Sequence, residues 1–189
     1  MTAGHLLSNG RFHVLVTPSG AGYSMLGDIL LTRWSADRTR EAEGWFLYLR
    51  DLESGDLWSA GHAPVLRRPV RYEFRVAPGL VRIVREDQGI EVRTEIAVDP
   101  DADVEWRRYT VINLSERPRR LEVTSCAEVV LNTAEADSGH PAFSKLFVQT
   151  EYVPQSGGLL ARRRPRSPEE PPRYMGMALL DGIAGANGL

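Results

Sequence analysis

Apolar and polar residues alternate along most of this chain, and a period of two predicts β-strands. The clearest stretch is 90–98, in which four apolar residues fall on one face and charged residues fall on the other. The same alternation recurs over 71–76 and 121–131. Strands with one apolar and one charged face are typical of antiparallel sheets, which bury one side and leave the other in water.

Short turn segments rich in Gly, Pro, Asp and Ser separate these strands, and no stretch shows a convincing helical period. The pattern predicts strands at 11–17, 28–32, 45–51, 71–76, 80–86, 90–98, 104–113, 120–131, 144–151, 158–162 and 174–180. Many short strands joined by tight turns indicate an all-β protein, here an antiparallel two-sheet β-sandwich. We predict one domain over 1–180 and an irregular tail over 181–189.

Three long loops interrupt the strands, at 18–24, 35–44 and 132–143, and loops on a rigid sheet are where binding residues tend to lie. The first contains Gly20 and Gly22, followed by Tyr23 and Ser24. Two glycines in this spacing allow close backbone approach to a ligand or another chain. A phosphate-binding loop is disfavoured because no Gly-Lys-Ser/Thr follows and no helix begins there. A plain turn and a loop that reaches a neighbouring active site remain open.

A fourth interruption, 162–172, is rich in Pro and charge and predicts an exposed connection. Its basic residues precede its acidic ones, so we expect it to neutralise itself. The whole chain of 189 residues has a formal net charge of −2, which favours neither nucleic acid nor an anionic membrane as a partner. No apolar run approaches the roughly 20 residues of a membrane helix. The single cysteine, Cys126, favours a reducing compartment, so we expect a cytoplasmic location.

Acidic residues are plentiful, and glycoside chemistry requires a pair of them. Most alternate with apolar residues on strands, which predicts surface pairing with arginines rather than catalysis. This set comprises Glu91, Glu95, Glu105, Glu122 and Asp103. Glu128 is the exception, because it lies in an apolar stretch that leads into the third loop. The four histidines and one cysteine show no metal-ligand spacing, so no metal site is predicted.

Tryptophan rings are candidates for gripping sugars, because an aromatic face stacks on apolar C–H groups. Trp45 and Trp106 fall within strand patterns and are predicted to be core residues. Trp34 and Trp58 fall near loop edges and are the two candidates for sugar stacking. Periodicity alone goes no further than a globular β-sandwich.

Several short phrases of the sequence are distinctive. They are LLSNGRFHV at 6–14, GAGYS at 20–24, LTRW at 31–34, YLRD at 48–51, WSAGH at 58–62, EVTS at 122–125 with AEVVL at 127–131, and HPAFSKLF at 140–147. In the same order, and over about residues 5 to 180, these phrases resemble the cyclic β-1,2-glucan synthase and cellobiose (chitobiose) phosphorylase family, and the last two, EVTS with AEVVL and HPAFSKLF, are specific enough to make chance a poor explanation. The resemblance implies a supersandwich of the galactose-mutarotase-like kind that precedes a catalytic (α/α)6 barrel.

In that family the barrel carries the general acid and most of the phosphate site, and inorganic phosphate is a co-substrate in inverting transfer of glucosyl groups. The resemblance therefore implies a non-catalytic domain with no catalytic residue and no cofactor of its own. Its candidate substrate or interface residues are Gly20, Gly22, Tyr23, Ser24, Arg33, His140 and Lys145. The implied partners are a β-glucan or oligosaccharide bound by the longer enzyme, the missing barrel, and a second copy in a homodimer.

Two alternatives remain open, an independent sugar-binding module and a domain that mediates dimerisation. The family continues with more strands, so we expect the sandwich to be incomplete at its C-terminus, with an open sheet edge or apolar face. The resemblance leaves open whether the longer enzyme is attached to the inner membrane, and it does not define the glucan linkage.

Overall fold

A computed structural model describes residues 4–34 and 42–180 of the chain. The alternating sequence forms strands there, and two short helices occupy the third predicted loop and the two residues after it. The strands are β1 (His5–Ser8), β2 (Phe12–Val16), β3 (Gly22–Leu26), β4 (Ile29–Thr32), β5 (Trp45–Asp51), β6 (Leu57–Ser59), β7 (Arg71–Ala77), β8 (Leu80–Asp87), β9 (Ile90–Val98), β10 (Glu105–Asn113), β11 (Leu121–Ala127), β12 (Val129–Thr133), β13 (Val148–Val153), β14 (Gly158–Arg163) and β15 (Arg173–Ala178). The helices are α1 (Ala134–Gly139) and α2 (Pro141–Lys145).

The strands pair antiparallel in four sheets, which confirms the predicted all-β class. A five-stranded sheet has the order β1-β2-β3-β4-β12, and a four-stranded sheet has the order β10-β9-β8-β7. The β5 sheet has the order β11-β5-β6, and the last sheet has the order β13-β14-β15. No helix formed by the described residues is long and apolar enough to span a membrane.

The core lies between the four-stranded sheet and two partners. One half packs Val81, Ile83 and Ile96 against Val14 and Leu131 of the five-stranded sheet. The other half packs residues of β9 against the β5 sheet, in a cluster of Leu47, Leu49, Trp58, Ala60, Ile90 and Val92. Each fully buried Val, Leu or Ile side chain in these two clusters contributes about 1.5–3 kcal/mol to folding. The five-stranded sheet and the β5 sheet therefore form one layer opposite the four-stranded sheet, as a sandwich requires.

The outer face of the four-stranded sheet carries the expected ion pairs. Glu95 lies between Arg82 and Arg108 and accepts bonds from both. Glu91 pairs with Arg93 at 2.6 Å. Exposed pairs such as those of Asp103 and Glu122 contribute only about 0–1 kcal/mol each. The predicted pairing with arginines is confirmed for these two acids and for Glu91 and Glu95, but the prediction of a solvated position was wrong for Glu91, whose side chain is only 6% exposed.

Glu105 differs from that prediction, because its side chain points between the sheets. On β10 it shares a face with Arg107 and Tyr109, which lie opposite the buried Ile96 and Thr94 of β9. Its Oε2 accepts a 2.5 Å hydrogen bond from the buried Ser24 Oγ. The prediction of a solvated surface acid was wrong here, because the alternation on β10 puts charged residues on the inner face.

Other differences concern elements that have little apolar pattern. The predicted loop 18–24 is wrong at its end, because β3 begins at Gly22. The predicted strand 120–131 is two strands in different sheets, and the predicted strand 144–151 starts at Val148, after α2. Strands β1 and β6 were not predicted. Most of the predicted loop 35–44, and the predicted tail 181–189, lie outside the described residues.

Candidate functional site

Arg33 is the centre of a buried ion network at one end of the five-stranded sheet. It follows β4, and its guanidinium donates two parallel 2.9 Å bonds to Asp137, from Nε to Oδ2 and from Nη2 to Oδ1. Nη1 donates to Glu128 Oε1 at 2.7 Å, and Nη2 donates to the Pro141 carbonyl at 3.3 Å. The side chains of Arg33 and Asp137 are only 10% and 5% exposed. We call Arg33, Glu128 and Asp137 the Arg33 clamp.

The clamp joins elements that are far apart in sequence. Asp137 lies on α1, whose first turn is capped by Thr133 Oγ1, which accepts from the Ala136 amide at 3.3 Å. Glu128 is the single residue between β11 and β12, and its carbonyl accepts from the Arg33 amide at 2.8 Å. Burial by itself lowers the pKa of Arg33, but the bonds to Asp137 and nearby carboxylates outweigh it, so the pKa lies above its ordinary value.

Of two further candidates, His140 in the third loop and Lys145 just after it, Lys145 contacts the clamp. Lys145 Nζ forms an ion pair with Glu128 Oε1, the same oxygen that Arg33 contacts. His140 separates α1 from α2, and its carbonyl accepts from the Ser144 amide at 2.9 Å. The structure thus brings the predicted residues Arg33 and Lys145 together through Glu128, whereas the exposed His140 only precedes Pro141, whose carbonyl accepts from Arg33.

Tyr23 and Trp34 form an aromatic pair, and Trp34 directly follows Arg33 of the clamp. The rings of Tyr23, on β3, and Trp34, next to Arg33, have centroids 5.6 Å apart and planes inclined by 59°. Both side chains are partly exposed. Two inclined rings form an angled surface rather than the flat platform expected of a sugar-stacking tryptophan.

The glycines of the first loop serve close packing. A Cβ on Gly22 would lie 1.8 Å from the Leu15 carbonyl oxygen, and one on Gly20 would lie 3.1 Å from Gly61 Cα. Gly22 also donates its amide to the Glu43 carbonyl at 3.0 Å. Ser24 is buried and bonded to Glu105, so its hydroxyl is already engaged inside the sandwich.

The tryptophan predictions need correction at two positions. Trp58 is 0% exposed, so the prediction that it could stack on a sugar was wrong: it lies on the inner face of β6 in the core. Trp106 is 48% exposed, so its predicted core position was also wrong, since it points outward from the edge strand β10. Trp45 is partly buried and donates from Nε1 to Ser125 Oγ at 2.7 Å.

Sequence reasoning missed a polar cluster inside the sandwich, formed by Glu105, Arg107 and Tyr109. Burial lowers the pKa of Arg107, but Glu105 and Tyr109 outweigh it and the pKa is raised, while burial raises the pKa of Tyr109. Arg107 Nη1 donates to the Trp45 carbonyl at 2.8 Å. The cluster borders a cavity of about 20 Å³, enough for one water molecule. Apolar alternation gives no signal for this cluster, because Glu105 and Arg107 occupy inner-face positions of β10.

The described residues contain no group of three or more His, Cys, Asp or Glu side chains that could hold a metal ion. The polar chemistry that they do present consists of guanidinium–carboxylate pairs, aromatic rings and hydroxyls. Such groups can position loops and contact sugar hydroxyls.

Antiparallel sheets in two layers, with an ion-paired loop end, define the class of the chain as an all-β sandwich domain. The family model described as "Glycosyl hydrolase 94, supersandwich domain" matches residues 2–187. The chain belongs to this family, which confirms both the resemblance read from its phrases and the supersandwich fold that it implied.

The chain is similar in sequence to a glucan synthase and to disaccharide phosphorylases. The chain is 38% identical over 166 residues to the cyclic beta-(1,2)-glucan synthase NdvB of Rhizobium meliloti, a match that covers 88% of the chain and 6% of the relative. It is 24% identical over 153 residues to the N,N'-diacetylchitobiose phosphorylase of Vibrio proteolyticus, covering 78% and 19%. It is 27% identical over 144 residues to the solabiose phosphorylase of Paenibacillus borealis, covering 75% and 17%. The chain thus corresponds to a small part of each relative's length.

Proposed function

We propose that this chain is a non-catalytic sandwich domain of a glucan synthase or disaccharide phosphorylase. In this proposal the enzyme transfers glucosyl groups between a β-glucan and phosphate with inversion, and the chemistry takes place outside this chain. The domain supplies a rigid loop surface beside the sugar site, built from the Arg33 clamp and the Tyr23–Trp34 pair. The relatives' names support the enzyme class.

The clamp is the observation that carries the positional role. An inverting reaction on a glycosidic bond needs a carboxylic acid aimed at the leaving oxygen. Both carboxylates of the clamp are instead ion-paired, with Asp137 bonded twice to Arg33 and Glu128 shared between Arg33 and Lys145. Their arrangement fixes the two helices of the third loop against β4, which suits a positioning element rather than an acid–base pair.

The experiment is an activity assay on the purified chain. Incubation with inorganic phosphate and cellobiose, N,N'-diacetylchitobiose or linear β-1,2-glucan should release no sugar 1-phosphate. A full-length phosphorylase such as the Vibrio proteolyticus relative, assayed in parallel on its own substrate, shows that the assay detects turnover. Phosphate-dependent release by the isolated chain would overturn the non-catalytic role.

An independent sugar-binding module is the second candidate, and the partial exposure of Trp34 is the observation in its favour, whereas its 59° inclination to Tyr23 counts against a flat stacking platform. Calorimetric titration of the chain with β-glucan oligosaccharides separates the two. Saturable binding that is lost in Trp34→Ala and kept in Trp106→Ala, a matched exposed tryptophan outside the pair, would establish the module. If the chain shows no saturable binding, the sugar contacts need the rest of an enzyme, as the first proposal expects.

A further inference from the structure

A surface of stacked arginines and phenylalanines lies where α2 leads into β13, beside the end of β14. Phe143 and Phe147 meet edge to face, with centroids 5.2 Å apart. The guanidinium carbons of Arg163 and Arg164 lie 5.3 and 5.4 Å from the centre of the Phe147 ring. That of Arg166 lies 5.6 Å from Phe143 and 5.7 Å from Phe147. We call these five residues the basic aromatic patch.

The three arginines of the patch lack carboxylate partners. In the part of the chain that the structure describes, none of their side chains lies within 4.0 Å of an Asp or Glu oxygen. The acidic residues of 162–172 do not pair with these side chains. Glu170 forms an ion pair with Arg173 at 3.6 Å, and its bond from Arg166 comes from the backbone amide rather than from the guanidinium. The expectation that this stretch neutralises itself is therefore wrong for the patch.

Arg163 makes this lack of compensation more severe, because the residue is only 4% exposed. Its Nη1 donates to the carbonyls of Val130 and Ser144, while its Nε has no hydrogen-bond partner. Burial lowers the pKa of Arg163, and the positive charges of Arg173 and Arg166 add to that effect against the opposing charge of Glu170. A buried guanidinium without a carboxylate is unfavourable, and carboxylates bound at the neighbouring exposed Arg164 and Arg166 would offset part of that cost.

The patch also presents apolar surface that a small anion would not use. Phe143 is 49% exposed, and Leu146, at the end of α2, is 70% exposed. Arginine and aromatic residues are enriched where protein partners bind, and exposed apolar area together with unpaired charge marks such sites. A carboxylate accepts well from the planar edge of a guanidinium whose face is stacked on a ring.

From the unpaired arginines and the exposed apolar rims, we propose that the basic aromatic patch docks a protein segment in which acidic and apolar side chains alternate. Carboxylates of the segment pair with the exposed guanidinium edges of Arg164 and Arg166, and its apolar side chains cover Phe143 and Leu146. This inference goes beyond the proposed function, because the patch lies outside the Arg33 clamp and the aromatic pair.

The test uses the full chain and a fluorescent peptide in which glutamate alternates with leucine, followed by fluorescence polarisation at low and at physiological salt. We expect saturable binding that Arg166→Glu and Phe143→Ala each weaken at least about tenfold, and that salt weakens further. Arg162→Glu is the matched control, since it reverses an exposed charge on β14 outside the patch. Circular dichroism shows that each variant is folded, and Arg164→Gln gives a milder second test of the same edge.

Control probes decide what the patch recognises. A peptide with lysine in place of glutamate should not bind, and one of glutamate alone should bind more weakly than the alternating peptide. The proposal is overturned if the alternating peptide does not bind saturably, or if Arg162→Glu weakens it as much as Arg166→Glu. It is also overturned in favour of a small-anion site if inorganic phosphate displaces the peptide where sodium chloride of equal ionic strength does not.

Discussion

Removing the arginine of the Arg33 clamp should destabilise the whole domain. The Arg33→Ala change leaves Asp137, whose side chain is 5% exposed, without the two guanidinium bonds that compensate its burial. Breaking a buried ion pair by removing one partner costs about 3–5 kcal/mol. Glu128 adds little to this loss, because it is 40% exposed and keeps its pair with Lys145. We therefore expect a loss near the lower end, about 3 kcal/mol.

Equilibrium unfolding in urea at neutral pH measures this loss, with tryptophan fluorescence, to which the buried Trp58 contributes, as one probe. For a domain of this size, about 3 kcal/mol also corresponds to a fall of roughly 6–12 °C in Tm. Arg50→Ala is the matched control, because its pair with Glu122 spans 4.0 Å and both side chains are more than half exposed. The reasoning fails if Arg33→Ala loses less than about 1 kcal/mol, or no more than the control.

Three other changes test separate parts of the fold. The pKa of Asp51 is lowered from 3.8 to about 2 by hydrogen bonds from Arg119 and from backbone amides, so its stabilisation is complete above about pH 4 and is lost as the pH falls toward 2. In Asp51→Asn, the urea midpoint should therefore lose its pH dependence within that window and keep the wild-type pH dependence outside it. Gly22→Ala should prevent folding or lower the free energy of unfolding by more than about 2 kcal/mol, because the added Cβ would clash with a backbone oxygen. In the control Gly176→Ala the added Cβ meets nothing within 4 Å, so thermal melting should place its free energy of unfolding within about 1 kcal/mol of wild type. Thr94→Val should keep or raise the free energy of unfolding, because Thr94 Oγ1 is buried without a partner; a loss above about 1 kcal/mol would show that this hydroxyl is bonded through water in the adjacent cavity.

The fold class follows from the sequence because alternation is a local signal, and it is strongest where one sheet face is buried. Residues 90–98 satisfy it except at Thr94 and Ala97, and they form β9 as predicted. Strand β6 has only three residues, too few to show a period, so Trp58 was placed near a loop edge when it lies in the core. Likewise the break at Glu128 leaves no trace in the alternation, so β11 and β12 were predicted as one strand.

The candidate site was predictable only in part. The phrases containing Arg33 and Lys145 were selected by resemblance, and the structure brings these two residues to one carboxylate. Asp137 was missed, although it is the most buried partner of Arg33. It lies in a stretch predicted as a loop, and only the packing of α1 reveals its burial. Long-range pairing between residues about a hundred positions apart has no local signature in a single sequence.

The passage of the chain through Glu128 has a mechanical consequence. Because this one residue joins β11 to β12, a single run of backbone continues from the β5 sheet into the five-stranded sheet, and the Arg33 amide ties the junction to β4. A sideways displacement of either sheet would therefore displace the other as well. Amides of β11 and β12 next to the junction should therefore show similar free energies of opening in hydrogen exchange.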